Sequence, residues 1–512
     1  MDEQPSLLYK FKPLSDKLPA VKRPEGHVHF RTKMMWVIVI LVVYFIMTNV
    51  YIYGLDQAKS LDLFAQYRTI MAGASGTILQ LGIGPIVTAS IIMQLFVGAK
   101  IIKLDLTNRK DKACYQSVLK LLVIVMIFIE AVPQVFGYLV PSDNFVSTFG
   151  STGAKLLIIL QLCIGSYLVF LFDEVVSKWG IGSGISLFIA AGVSQAVFTG
   201  ALNWYPYDAS AALSLSNYPV GTIPKAIYIV MNSSSAELAS GGYETIFLGT
   251  PNPMVALIGT VVIFLVVVYL ESSRIELPLS HGNARGARGR YPIKLMYASN
   301  IPVILMSALL ANVSMVALLF FSNDFLSDIP FLGGNPAIGY FESGSTTATG
   351  GLAWYLSAPT GLTDWLMPIL NPVTYGNGHS VLQNMCHVAI YGTVMIMGSI
   401  MFAKFWVETT NLGPEAVANQ IQKSGMQIPG FRRDPRVLKR VLERYIPTIT
   451  IMSGALIGAL AAVADLIGTT GNASGTGLLL AVGIMIHFYE AVGREQMMEM
   501  NPVMRGFFGG ED

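Results

Sequence analysis

Ten times along this chain a run of about 20 apolar residues returns, each long enough to cross roughly 30 Å of hydrocarbon as a helix. The runs lie near 34–53, 76–97, 118–140, 153–173, 181–200, 253–271, 295–321, 380–407, 446–468 and 476–493. No other feature limits the fold so tightly, because a backbone in lipid must satisfy its own N–H and C=O groups. Charged residues make up 12% of the chain, against roughly 25% in soluble domains. The expected fold is an all-α polytopic membrane protein of ten transmembrane helices. The first run follows a polar segment, 1–33, with seven Lys and Arg. Both are too long for an ordinary cleaved signal peptide, so the run reads as the first permanent span.

The basic residues orient the spans. Of 33 Lys and Arg, 29 fall on one side: before the first span, in 99–120, in 174–180, in the loops 272–294 and 404–445, and after Gly493. The other side holds Lys59, Arg68 and Lys225, with Lys155 at a boundary. Both termini are therefore expected in the cytoplasm. Ten spans divide into five plus five, and an odd number per half inverts the second relative to the first. The segments become an N-terminal stretch 1–33, a first half 34–200, an outer loop 201–252, a second half 253–493 and a tail 494–512. Between the first two spans, 60–76 is too short and polar to cross. It reads as a short re-entrant helix hinged at Gly73, Ser75 and Gly76.

A solute transporter places carboxylates, lysines or histidines along a polar intramembrane path. The candidates here are Glu130, Asp465, His387 and His487, with Asp465 expected at the outer interface and the histidines in interhelical hydrogen bonds. No HExxH, GxGD or P-loop is present, so neither catalysis nor ATP hydrolysis is expected. Cys114, Cys163 and Cys386 stand apart from any metal-ligand spacing. No metal or other cofactor is implied.

Instead, two stretches set isoleucines among glycines: "LGIGPIVTASIIMQLF" from Leu81 and "GIGSGISLFIAAG" from Gly180. Such glycines permit close helix packing. They also thin the backbone so that an aliphatic side chain projects into a narrow space, as in constrictions that seal by shape and dewetting. Both readings stand on these stretches alone.

Together with "RIELPLSHG…RYPIKLMYASNIPVIL", "FWVETT" and "RYIPTITIMSGALIGALAAVADLIG…GTGLLLAV", these blocks resemble the SecY family, the large subunit of the Sec protein-conducting channel. The resemblance covers about 10–500, is closer to archaeal than to bacterial forms, and has the family's order and spacing. It implies two inverted five-helix halves around an aliphatic waist, here Ile83, Val87, Ile181, Ile185, Ile304 and Leu480. A cargo of arbitrary sequence cannot be gripped by fixed polar groups, and an apolar gasket meets that need. The implied plug is 60–73, with Leu61, Leu63, Phe64, Tyr67, Arg68 and Ile70. The implied lateral gate cluster is Thr88, Glu130 and Asn312, at the seam through which hydrophobic signal segments leave into membrane lipid.

The resemblance also implies partners: SecE-type and small beta-type Sec subunits, a ribosome with its nascent chain, and signal peptides of preproteins, but no DNA. Arg285, Arg288 and Arg290 in one loop, and Arg432, Arg433, Lys439 and Arg440 in another, become docking residues for ribosomal phosphates. Ordinary positive-inside retention accounts for some of these charges. The expected location is the cell membrane. The competing readings are a secondary transporter and a pore-less insertase. The outer segments 201–252 and 322–378 are longer than the family core requires; "NSS" at Asn232 is a glycosylation-type pattern.

Overall fold

The computed structural model describes residues 13, 17–57, 60, 71–98, 101–102, 104, 109–208, 211–281, 288–297, 300–322, 335–342, 347–410, 412–423, 426–427 and 435–500. The first half runs α1 (Phe30–Met47), α2 (Gly84–Gly98), α3 (Arg109–Gly137), α4 (Asp143–Trp179) and α5 (Gly184–Leu202). An outer-loop helix, α6 (Thr222–Asn232), leads to α7 (Met254–Ser272) and α8 (Ile301–Ser322). Two short helices, α9 (Gly351–Leu356) and α10 (Leu362–Leu370), precede α11 (Val381–Thr409), α12 (Pro414–Lys423), α13 (Pro435–Ile467) and α14 (Gly475–Met500).

Among the described residues nine helices are long and apolar enough to cross a membrane. The tenth expected span differs from its sequence reading. The apolar run starts at 76, but α2 begins only at Gly84 and has 15 residues, a rise of about 22 Å. The stretch before it is irregular because Gly76 and Gly82 hold φ of +68° and +53°, where glycine is at ease. Its polar backbone is satisfied by separate turns and by neighbours rather than by a helix. Ile52 N donates to the Gly76 carbonyl (2.9 Å), Ile78 N to Val50 (3.0 Å) and Ile83 N to Met71 (2.8 Å). Gln80 Oε1 accepts from Gly76 N at 2.7 Å. Irregular backbone at membrane depth survives only when buried in protein, and Leu79, Leu81 and Ile83 are buried. Helix α4 presses on this stretch so closely that a Cβ on Gly165 would overlap the Ile78 carbonyl.

Outside the spans the fold adds a small sheet that the reading of the basic loops did not include. Strands β1 (Arg274–His281) and β2 (Arg288–Lys294) form an antiparallel hairpin, with Arg274 opposite Lys294. After β3 (Tyr340–Phe341) and β4 (Ala348–Gly350), which pair with each other, β5 (Met426–Gln427) joins β1. The basic loops 272–294 and 404–445 thus share one sheet. Its base is held on α14, where Glu490 meets Lys294 (2.8 Å) and Arg274 (3.5 Å). One turn further along α14, Glu495 pairs with Lys33 of α1 at 2.7 Å. Segments that the charge count placed on one side therefore meet on one helix end.

Candidate functional site

The glycines of "GIGSG" make a tight entry into α5. Gly182 has φ of +80°, and Gly184 abuts α4 so closely that a Cβ would lie 2.6 Å from the Asp173 Cα. The first N–H groups of a helix have no intrahelical partner. Here Asp173 of α4 supplies one, its Oδ1 accepting from Ile185 N at 3.0 Å and from Ser183 Oγ at 3.4 Å. This cap comes from another helix and holds Ile181 and Ile185 in place. Ile83 ends the irregular stretch before α2, and its carbonyl accepts from Val87 N (3.0 Å).

Ile304 lies in the first turn of α8, and Leu480 in α14. Five of the six waist residues are buried: Ile83, Val87, Ile181, Ile304 and Leu480. Ile185 is half-buried and packs against the same apolar core. Residues from both halves of the chain thus enter one cluster.

The three gate residues also come together. Thr88 Oγ1 stands 2.8 Å from Glu130 Oε1, and Asn312 Nδ2 donates to Thr88 Oγ1 at 3.3 Å. The triad joins α2, α3 and α8. The Thr88 hydroxyl also has the Gly84 carbonyl at 2.9 Å, and one proton cannot serve both acceptors. Gly84 makes room for the carboxylate, since a Cβ there would lie 2.9 Å from Glu130 Oε2. Beside Asn312 opens an apolar cavity of about 280 Å³ lined by Val313, Val316, Phe320, Ile338 and Leu352.

The remaining sites are placed unevenly. All six plug residues, Leu61, Leu63, Phe64, Tyr67, Arg68 and Ile70, lie outside the described residues, as do Arg285, Arg432 and Arg433. Arg288 and Arg290 stand on β2 opposite Ser280 and Pro278. Lys439 and Arg440 lie at the start of α13, with Lys439 paired to Glu415 of α12 at 2.7 Å in an exposed contact.

Asp465 stands near the end of α13, as its place in the sequence implies, and is packed within protein. Its carboxylate accepts from the Tyr391 hydroxyl (2.7 Å), the Thr476 hydroxyl (2.8 Å) and Thr476 N (3.2 Å). The cause is a tertiary cap: the loop after α13 folds back so that α14 starts on this carboxylate. Asp173 plays the same part for α5 and was not singled out from sequence; its only signal there is an acidic pair, Asp173 and Glu174, interrupting an apolar run ten residues before a Gly/Ser turn. His387 meets its expectation, with Nε2 3.0 Å from the Ser357 carbonyl.

Comparison with known proteins now decides the family. The SecY family profile matches residues 77–489, and the plug domain of Sec61p matches 42–76. The chain belongs to the SecY family. It is similar to the protein translocase subunit SecY of Archaeoglobus fulgidus, 46% identical with 99% of each chain covered. It is equally similar to that of Haloferax volcanii, 46% identical over 98% of this chain and 99% of that one. Among solved structures it resembles one described as a protein conducting channel, with a TM-score of 0.75, 38% identity and 96% and 98% coverage. It also resembles Sec61 in the canine ribosome-channel complex from the endoplasmic reticulum, with a TM-score of 0.73, 38% identity and the same coverage. As a member of this family the chain is a multi-pass subunit of the protein-translocating channel and not an enzyme.

Proposed function

We propose that unfolded polypeptide passes through the waist formed by Ile83, Val87, Ile181, Ile185, Ile304 and Leu480, and that hydrophobic segments leave sideways past Thr88, Glu130 and Asn312. The observation that carries this reading is the gathering of aliphatic side chains from both halves into one core beside the gate triad. An apolar constriction closes by shape and excludes water and ions when empty. Around an extended chain it deforms at low cost, because it holds no hydrogen bonds to break. The gate triad adds a modest preference for the shut seam, since polar groups in apolar helices favour each other. A signal helix entering the seam replaces one packed helix face by another.

The segment 60–73 serves as the plug, and the boundaries 34–200 and 253–493 mark the two halves that part. Arg285, Arg288, Arg290, Arg432, Arg433, Lys439 and Arg440 offer a basic docking face. Its fitting partner is a translating ribosome, because clustered Arg and Lys bind RNA phosphates. SecE-type and small beta-type subunits complete the channel, which lies in the cell membrane with both termini in the cytoplasm.

The test is a site-specific crosslink. Cys114, Cys163 and Cys386 are replaced, one cysteine is placed at Ile185, and a stalled signal-bearing nascent chain carries a single cysteine in its mature part. Signal-dependent crosslinks at position 185 are expected. A chain that crosslinks at Thr88 but never reaches position 185 would make the protein an insertase groove without a pore.

A further inference from the structure

The outer connection between α5 and α7 carries a surface that conduction does not explain. Between Asp208 and Glu237 the sequence holds one charged residue, Lys225. That lysine is buried, with Nζ donating to the carbonyls of Gly249 (2.7 Å) and Pro251 (2.8 Å). The exposed surface of α6 and its flanks is therefore free of charge. One side of α6 packs inward through Thr222, Lys225 and Ile229. The other exposes Ile223, Ile227, Val230 and Met231, the last at 79%. Positions separated by four, three and one lie on one stripe of a helix.

Two attachments fix where α6 lies. Gly221 N donates to the Asn203 carbonyl (2.9 Å) and Thr222 Oγ1 to the Gly200 carbonyl (3.3 Å), which ties its start to the end of α5. Lys225 ties its middle to the segment entering α7. Helix α6, about 16 Å long, thus lies at the level where two membrane spans end. The outward apolar face of α5 continues into this surface: Phe198 and Leu202 are exposed on its last turns, followed by exposed Trp204, Tyr205 and Tyr207. Aromatic rings with a polar edge gather where hydrocarbon meets headgroups.

We propose that α6 lies flat in the outer interfacial layer of the bilayer. Its Ile223–Ile227–Val230–Met231 stripe sits among the acyl chains, and Trp204, Tyr205 and Tyr207 sit at headgroup depth. The occupant is lipid because the stripe runs on from a lipid-facing helix, carries no charge and is bordered by interfacial aromatics. An amphipathic helix of this kind binds through its apolar face. The connection between the two halves is then moored to the membrane and not carried in water. This inference needs only that α5 and α7 span the bilayer, and it stands whether or not the waist conducts.

The test uses the assembled channel complex in phospholipid nanodiscs. In the wild-type protein, hydroxyl-radical oxidation of Met231 is compared with that of Met497, which is 64% exposed at the opposite end of α14. Met231 is expected to oxidise several-fold more slowly in nanodiscs; equal rates overturn the proposal. A nitroxide on Ile227→Cys, in a background without the native cysteines, then identifies what covers the stripe. Collisions with oxygen should exceed those with a water-soluble nickel chelate several-fold, and the order should reverse at Asn232→Cys. Low collision with both reagents at position 227 would mean that protein, not lipid, covers α6, and the proposal falls.

Discussion

Two buried carboxylates inside the membrane show how the same chemistry serves opposite ends. Asp465 receives three hydrogen bonds from Tyr391 and Thr476 and so fastens α11, α13 and α14 together. Among the described residues Glu130 receives one, from a Thr88 hydroxyl that a helix carbonyl also claims, and Asn312 reaches Thr88 at 3.3 Å. A fully satisfied buried network is rigid, and a partly satisfied one is cheap to leave. The first ties three helices together, and the second lies at the seam proposed above to part. Both-state access requires a gap of only a few kcal/mol, which a network like that of Asp465 would exceed.

The largest expected effect comes from breaking the tight member. Asp465→Ala strips a partner from Tyr391 and two from Thr476, at about 1–3 kcal/mol for each polar group left unpaired. The expected result is a clear fall in thermal midpoint of the purified complex, followed by size-exclusion chromatography after heating. A midpoint equal to wild type would erase the contrast. The loose member should respond differently. Thr88→Val removes the hydroxyl that links Glu130 to Asn312, and intramembrane hydrogen bonds average about 0.6 kcal/mol with maxima near 2. Thermal stability should hardly move, while the seam opens to weaker signals. Translocation of a precursor with a shortened apolar signal should rise by a few-fold; no change would remove the triad from gating.

The smallest effect lies in the outer loop, where the charge is on the other kind of group. Burial lowers the Lys225 ammonium to about 8, against about 10.4 when unfolded. Between these values the unfolded loop binds more protons, so native stability rises with pH. The penalty is fully present below about 8 and gone above the unfolded value. Protection of 222–251 in hydrogen exchange, corrected for the intrinsic rate, should increase from pH 7 to 9.5 in the wild type. Lys225→Met should abolish that slope.

Much of this was legible in the sequence. The spans, the side carrying the basic residues, the packing of the six aliphatic residues into one core and the Thr88–Glu130–Asn312 cluster follow from apolar run lengths, charge count and motif resemblance. What escaped depended on partners distant along the chain. The capping role of Asp465 escaped because its place near the end of an apolar run is local information, whereas Tyr391 is 74 residues away. The early end of α2 escaped because 76–83 is as apolar as a helix would be. Its irregular course comes from glycines at positive φ and from hydrogen bonds to 50–52 and Met71, which hydropathy does not record. The β1–β2–β5 sheet escaped because its short strands sit in loops read for their charge, although Ile275, Leu277 and Leu279 of β1 alternate with Arg274, Glu276 and Pro278.

The irregular stretch ending at Ile83 has a mechanical consequence. A helix resists local stretching, because each residue moved breaks a rung of its own ladder. The backbone of 74–83 has separate turns, such as Gln80 N on the Thr77 carbonyl and Gly82 N on that of Leu79, in place of a continuous ladder, and shares its other hydrogen bonds with neighbours. Ile83 is therefore mounted at the joint between a compliant strap and a stiff rod. If Ile83 lines the waist as proposed, an opening that admits side chains from glycine to tryptophan widens there by turning a few dihedral angles, while the helices keep their shape.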